Sequence, residues 1–196
     1  MRKIIIGIGG ASGVMYGVRL LDALRDIEDV ETHLVMTQTA VMNLGIETDL
    51  RPADVIARAD VHYKITDIAA AIASGSFRTH GMIIAACSMK TLSGVVHSYA
   101  DDLLTRAADV CLKEKRKLIL MPRETPLHLG HCKLLVEAAQ LGAIIAPPMP
   151  ALYTKPASID EMIDQTAGRV LDLLDFDCPF VERWRGPNPS EAIDKD

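Results

Sequence analysis

The residues able to do chemistry fall in short clusters of hydroxyls and charges. They are Gly10-Ala11-Ser12-Gly13, Thr37, Ser88-Met89-Lys90-Thr91, Arg123-Glu124 and Tyr153. Serine and threonine hydroxyls beside glycine N–H groups suit an anion. Ser88, Lys90 and Thr91 combine two hydroxyls with an ammonium, a set that grips a phosphate or a polarised ring, although Ser-x-x-Thr is also an ordinary helix start. Arg106 and Lys113 stand seven residues apart and so share one helix face. With Arg123 and Arg169 they can build a cationic pocket in an otherwise acidic protein; for Arg106 and Lys113 a solvated helix face is the competing account.

These clusters stand where positioning elements end. Lys3–Ile8 reads as a buried strand, and Val14–Asp29 as a helix whose stripe is Val14, Val18, Leu21 and Leu24. Strand Glu31–Met36 leads to Thr37 and a helix from about Ala40, which Gly45 is expected to end. A short helix at Pro52–Ala59, a weak strand at Val61–Lys64 and a short helix at Ile68–Ala73 follow. The strand Met82–Ala86 stops at Cys87-Ser88, and helices at Thr91–His97 and Asp101–Lys115 come next. Strand Lys117–Met121 ends at Pro122-Arg123, helix His128–Leu141 follows, and strand Ala143–Ala146 runs into Pro147-Pro148. The last helix starts at a capping box, Ser158-x-x-Glu161, and runs to about Leu174. Alternating strands and helices predict an α/β fold with a mostly parallel sheet. In such sheets ligands collect at the carboxyl ends of the strands, where the polar clusters fall.

The first turn approaches the dinucleotide pattern G-x-G-x-x-G, with Gly7 and Gly9 in place and Ser12 at the third glycine. The second strand ends in Met36-Thr37, without the acid that holds an adenosine ribose. Hydroxyls at Ser12 and Thr37 point instead to one phosphate, as in a mononucleotide; a turn used only for packing is the alternative. His128, His131 and Cys132 have metal-like spacing, but no fourth ligand is evident. They read as a helix-start histidine pair, with no metal. Cys87 beside Ser88 has no recognisable histidine partner and reads as packing against the sheet.

The 196 residues predict one domain over 1–186 and a surface tail from about Gly186 to Asp196. A net charge of −5 argues against a general nucleic-acid binder. No apolar segment is long enough to span a membrane, and Met1-Arg2-Lys3 begins no signal peptide. Four scattered cysteines suit a reducing cytoplasm.

Taken together, several motifs resemble the UbiX-type flavin prenyltransferases, including the small partner proteins of phenolic acid decarboxylases. They are Gly10-Ala11-Ser12-Gly13, Glu31–Met36, Ser74-Gly75-Ser76-Phe77, Cys87–Leu92, Arg106–Val110, Leu112-Lys113-Glu114, Pro122–His128 and Pro147–Tyr153. The resemblance covers about residues 2–186. It implies a Rossmann-like, metal-free homododecamer. Such enzymes join a dimethylallyl group from dimethylallyl phosphate to N5 and C6 of reduced FMN, and the prenylated FMN serves a UbiD-type decarboxylase. It further implies that Gly10, Ala11, Ser12, Thr37, Ser88, Met89, Lys90, Thr91 and Arg123 hold FMN. Tyr153, Arg169, Lys113, Glu124, Arg123 and Arg106 would bind the allylic phosphate, with Glu124 as proton donor. Arg169 is expected to reach a neighbouring chain's pocket. Ser12, supported by Glu47, would relay protons, and Trp184 would face the reacting groups. Gly9 stands where many relatives carry Ser or Thr, a departure expected to be tolerated, and Thr37 keeps the hydroxyl of a frequent Ser. Two rivals share the fold. One is a decarboxylase of cysteine-containing substrates, whose Pro-Ala-Ser-Ala-Asn-Thr signature is absent; the other is a flavin carrier or accessory protein without transferase activity.

Overall fold

The computed structural model describes residues 1–186; the expected tail at 187–196 lies outside them. Six strands form one sheet in the order β3-β2-β1-β4-β5-β6. These are β1 (Arg2–Ile8), β2 (Val30–Met36), β3 (Val61–Tyr63), β4 (Gly81–Cys87), β5 (Lys117–Pro122) and β6 (Ile144–Ile145). All five pairings are parallel, so the mostly parallel sheet expected is wholly parallel.

Burial on both faces explains the strand composition. Ile4, Ile6 and Ile8 point into one core layer, formed with helix α1 (Val14–Arg25) and helix α7 (Ile159–Asp172). Ile5, Met82 and Ile84 point into the other, under α4 (Met89–Val96), α5 (Leu103–Lys113) and α6 (Leu129–Gln140). Two further helices, α2 (Gln38–Glu47) and α3 (Pro52–Ile56), complete the first layer through Ala40, Leu44 and Val55. Strand order reverses between β1 and β4, which opens a crevice at their carboxyl ends.

Several boundaries differ from the sequence reading. Helix α2 runs through Gly45 to Glu47, because the left-handed turn that makes glycine a stop does not form there. Instead Thr48 ends the helix in an extended conformation, with both its N–H and Oγ1 donating to Leu44 O. Helix α1 stops at Arg25, and the chain reaches β2 through Asp29 at φ 60°. The segment expected as helix from Ile68 is only a 3-10 turn, Ala71–Ala73, and a second such turn at Leu152–Thr154 has no counterpart in the sequence reading. Ser158 does cap α7, its Oγ accepting from Glu161 N. The return bond misses by one residue, since Glu161 Oε2 accepts from Ala157 N.

Candidate active site

At the carboxyl end of β1 the chain must pass very close to β4. A Cβ at Gly9 would overlap the Ala86 carbonyl oxygen, so a side chain at this position requires that carbonyl to lie elsewhere. Gly13 caps α1 at φ 105°, in the left-handed region glycine favours, and has no side chain to cap with. Glu47 supplies what is missing. Its Oε2 accepts from Gly13 N at 2.9 Å and Val14 N at 3.1 Å, the free donors at the start of α1. One turn earlier on the same face of α2, Asn43 Nδ2 donates to Gly10 O at 3.2 Å.

This changes where an external anion can sit. The positive end of α1 is already taken by a carboxylate from within the protein. Two other helix starts remain, and both face one cavity of about 790 Å³, lined in part by Gly10, Thr37, Gln38, Thr39, Ser88, Lys90 and Thr91. Thr37 caps α2, its Oγ1 accepting from Ala40 N at 3.0 Å. Ser88 caps α4 in the same way, accepting from Thr91 N at 3.2 Å, with its Oγ 3.1 Å from Thr91 Oγ1. An N-cap hydroxyl that accepts a backbone proton still has its own proton to donate. Capping and ligand binding are thus compatible uses of the same side chains. Two dipole ends, the Lys90 ammonium and these hydroxyls form the donor set a phosphate monoester requires.

Arg123 and Glu124 lie beyond the end of β5, both exposed. The Arg123 backbone N–H donates to Cys87 O at 3.1 Å, which ties this segment to the start of the Ser88 turn. Tyr16, in the first turn of α1, has its phenol pKa raised by partial burial, against an opposing pull from the Arg123 charge. Cys87 is fully buried and its thiol is pushed up to about 12 by that burial, which suits packing rather than attack. His128 Nδ1 accepts from Gly130 N at 3.0 Å as the cap of α6, with the His131 ring centred 3.7 Å away. Among the described residues no group of three or more His, Cys, Asp or Glu could hold a metal.

The other candidates stand apart within this chain. Tyr153 packs edge-on against Trp184, ring centres 5.5 Å apart, and donates to Glu182 O at 3.2 Å. Arg169 pairs with Asp172 and borders a small pocket that includes Met149, Ala151 and Gln165. Lys113 ends α5 beside Glu114, whose carboxylate accepts a hydrogen bond from its ammonium. It precedes β5, so it belongs to the amino end of the sheet, roughly 17–20 Å of strand away from Arg123. Arg106 turns away from the cavity, its Nε donating to Ala73 O at 3.1 Å and its Nη1 to Asp109. Asn43 and Thr39 were missed by the sequence reading. The i, i+4 spacing of Asn43 and Glu47 was the available signal, hidden by the expected stop at Gly45.

A doubly wound parallel sheet with helix starts aimed at its switch point defines a mononucleotide-binding α/β protein. Residues 1–172 match the family model described as Flavoprotein. Over 188 residues, 95% of this chain and 100% of the other, the chain is 57% identical to "Flavin prenyltransferase UbiX" of Escherichia coli (strain K12). A solved structure described as "AnUbiX (PadA1) in complex with FMN and dimethylallyl pyrophosphate" superimposes with a TM-score of 0.93 at 48% identity, covering 95% of this chain and 99% of that one. A "dodecameric FMN-dependent Ubix-like Decarboxylase" from Escherichia coli O157:H7 does so with a TM-score of 0.92 at 47% identity, covering 94% and 100%. The chain belongs to the flavoprotein family and, within it, to the UbiX-type flavin prenyltransferases.

Proposed function

We propose that this protein is a flavin prenyltransferase that joins the dimethylallyl group of dimethylallyl phosphate to N5 and C6 of reduced FMN. Full-length identity of 57% to an enzyme of that name carries the reading. The product, prenylated FMN, is the cofactor of a UbiD-type decarboxylase.

The cavity fits FMN on the chemistry of its donors. Thr37, Ser88, Lys90 and Thr91 hold the phosphate between two helix starts, with Gly10 beside them in the cavity wall. Ala11, Ser12, Met89 and Arg123 are not part of that wall, and the family resemblance assigns them to the rest of the flavin. When bound, reduced FMN supplies the nucleophilic positions of the reaction.

The chain's own side chains handle the departing phosphate. Cleavage of the allylic C–O bond leaves added negative charge on phosphate, which Lys113, Arg106, Arg123 and Arg169 stabilise electrostatically. Glu124 donates a proton to the leaving group. Tyr153 binds the phosphate with them, and Trp184 offers aromatic surface to the positive allylic fragment. Ser12, exposed on the turn, relays protons, and Glu47 holds that turn in place through Gly13 and Val14.

Within one chain these groups belong to different ends of the molecule, and this supports a site completed by neighbouring copies. Only Ala138 of α6 is buried in the isolated chain, while Leu129, Val136 and Leu141 are exposed there or at its end. We take the protein to be a homo-oligomer, a dodecamer like its relative, built from one flavin-binding domain spanning residues 1–186. No helix among the described residues is long and apolar enough to cross a membrane. We place the protein in the cytoplasm, where its four free thiols are at home.

The test is anaerobic incubation of purified protein with reduced FMN and dimethylallyl phosphate, or in parallel the pyrophosphate, followed by mass analysis. A flavin heavier by one five-carbon unit is expected. Bound FMN with neither donor consumed would make the protein a carrier or accessory protein instead.

A further inference from the structure

Beyond α7 the chain returns along that helix, and three residues of one helix face hold it there. Gln165, Gly168 and Asp172 stand three and four residues apart, the spacing of a single stripe. At Gln165 the returning chain pairs as strand with strand. Glu182 N donates to Gln165 Oε1 at 2.8 Å, and Gln165 Nε2 donates to Glu182 O at 2.8 Å. At Gly168 it packs on the helix backbone, since a Cβ there would overlap Val181 Cγ2. At Asp172 the carboxylate accepts from Arg183, at 2.9 Å from Nη1 and 3.0 Å from Nη2. Trp184 is the next residue, so it departs from an anchored point.

Gln165 is 5% exposed, whereas Tyr153 and Trp184 are 42% and 64% exposed. The buried amide satisfies both backbone groups of Glu182, and its Nε2 also donates to Tyr153 Oη at 3.4 Å. Tyr153 gives its one phenolic proton to the same Glu182 O, at 3.2 Å. That carbonyl thus accepts twice, once from a buried amide and once from a half-exposed phenol. With Gln165 in place it stays satisfied when the phenol turns away.

We propose that Gln165 is a positioning residue of the transferase site: it anchors the segment that carries Trp184 and frees the Tyr153 proton for the phosphate of the allylic donor. This rests on the transferase reading above. In the free protein the Tyr153 proton is held by Glu182 O. When the donor arrives, the phenol exchanges that bond for one to a phosphate oxygen. Gln165 alone then keeps Glu182, and with it Trp184, where they were. Its Nε2 still donates to the phenol oxygen, which polarises the O–H toward the phosphate. Gln165 acts through Tyr153 and Trp184 and not on the reacting atoms.

The chain contains one tryptophan, so its fluorescence reports on Trp184 alone. In the full-length oligomer carrying Gln165→Leu, acrylamide quenching of that fluorescence should increase. The kcat/KM for dimethylallyl phosphate should fall about tenfold, as for loss of a hydrogen bond to a charged group. The Kd for FMN should stay within about twofold, because Gln165 is not in the cavity wall. Tyr153→Phe should cost less in the Gln165→Leu background than alone, since the phenol there is retained by a carbonyl that Gln165 no longer serves. Unchanged quenching with unchanged kcat/KM would overturn the proposal, and so would additive losses with Tyr153→Phe.

Gln165→Glu is the second variant, and it decides the matter if the leucine variant does not assemble. A protonated glutamic acid presents the same acceptor and donor as the amide, while the carboxylate lacks the donor. Its kcat/KM relative to the wild type should therefore recover between pH 8 and pH 6. A ratio that does not change with pH would overturn the proposal and leave the transferase reading intact. Absence of turnover in the wild type would instead remove that reading, with the quenching comparison still testing the anchor.

Discussion

The Glu47 carboxylate closes the amino end of a helix to which it does not belong, with its Oε2 2.9 Å from Gly13 N and 3.1 Å from Val14 N. Gly13 is required by its left-handed backbone and brings no capping side chain, so a residue 34 positions later does that work. Glu47→Ala should therefore cost about 1 kcal/mol, as the loss of an N-cap does. Glu47→Gln, which keeps an acceptor oxygen but loses the charge opposite the helix dipole, should cost less than half as much. Urea midpoints of the assembled variants check this, and equal losses in both would show that charge, not capping, dominates.

Thr37 and Ser88 cap their helices and also line the cavity. Thr37→Ala and Ser88→Ala should each weaken FMN binding about tenfold, the loss of one hydroxyl donor to phosphate. Thr37→Ser should bind as the wild type does. Flavin fluorescence titration measures all three. Unaltered affinity in both alanine variants would confine these hydroxyls to capping.

Lys113 and Glu124 are assigned to the leaving phosphate rather than to FMN. Lys113→Ala and Glu124→Gln should leave the Kd for FMN within twofold. Turnover should fall by two to three orders of magnitude, as when a donor to developing charge is removed. Unchanged turnover in both variants would refute these roles.

His33 is buried between Glu31, whose Oε1 lies 2.8 Å from Nε2, and Tyr63, whose hydroxyl lies 3.0 Å from Nδ1. Burial lowers its pKa below 6.5, against an opposing pull from Glu31. The folded state then binds a proton less readily than the unfolded chain. Its contribution to stability is complete above about pH 6.5 and is lost as pH falls below that toward the lower folded value. Thermal midpoints should decline from pH 7 to pH 5, and the decline should be shallower in His33→Gln. A parallel decline in that variant would assign the effect to other groups.

Cys87, Cys111 and Cys178 are buried, and burial pushes their thiols up to about 12, 11 and 11. Native protein treated with iodoacetamide at pH 8 should incorporate no more than one label, on exposed Cys132. Denatured protein should incorporate four. Rapid native labelling of Cys87 would contradict its burial.

Much of this molecule could be read from local pattern. The isoleucines of β1 sit in both core layers because a parallel strand is buried on both faces, and that requirement is visible as an unbroken apolar run. Hydroxyls at strand ends were legible for a similar reason: a cap at Thr37 or Ser88 involves residues three apart. The motif set was also sufficient to place the chain in its family.

Interactions between distant positions were not legible. Gly45 was expected to end α2, but glycine terminates a helix only where the chain turns left-handed, and here Thr48 turns it by its own bonds to Leu44. That difference carries Glu47 onto the face beneath Gly13, where it occupies the start of α1 and leaves the starts of α2 and α4 open to the cavity. The motifs likewise gave Arg106 and Lys113 as members of one site with Arg123. Only the direction of the strands revealed that Lys113 stands at the opposite end of the sheet. Sequence determined which side chains have the chemistry to meet a phosphate, because residue type and spacing set local chemistry. Tertiary structure decided which helix end remains open and which of these groups stand at opposite ends of one chain's sheet, because strand order and chain direction are set by packing across the whole sheet.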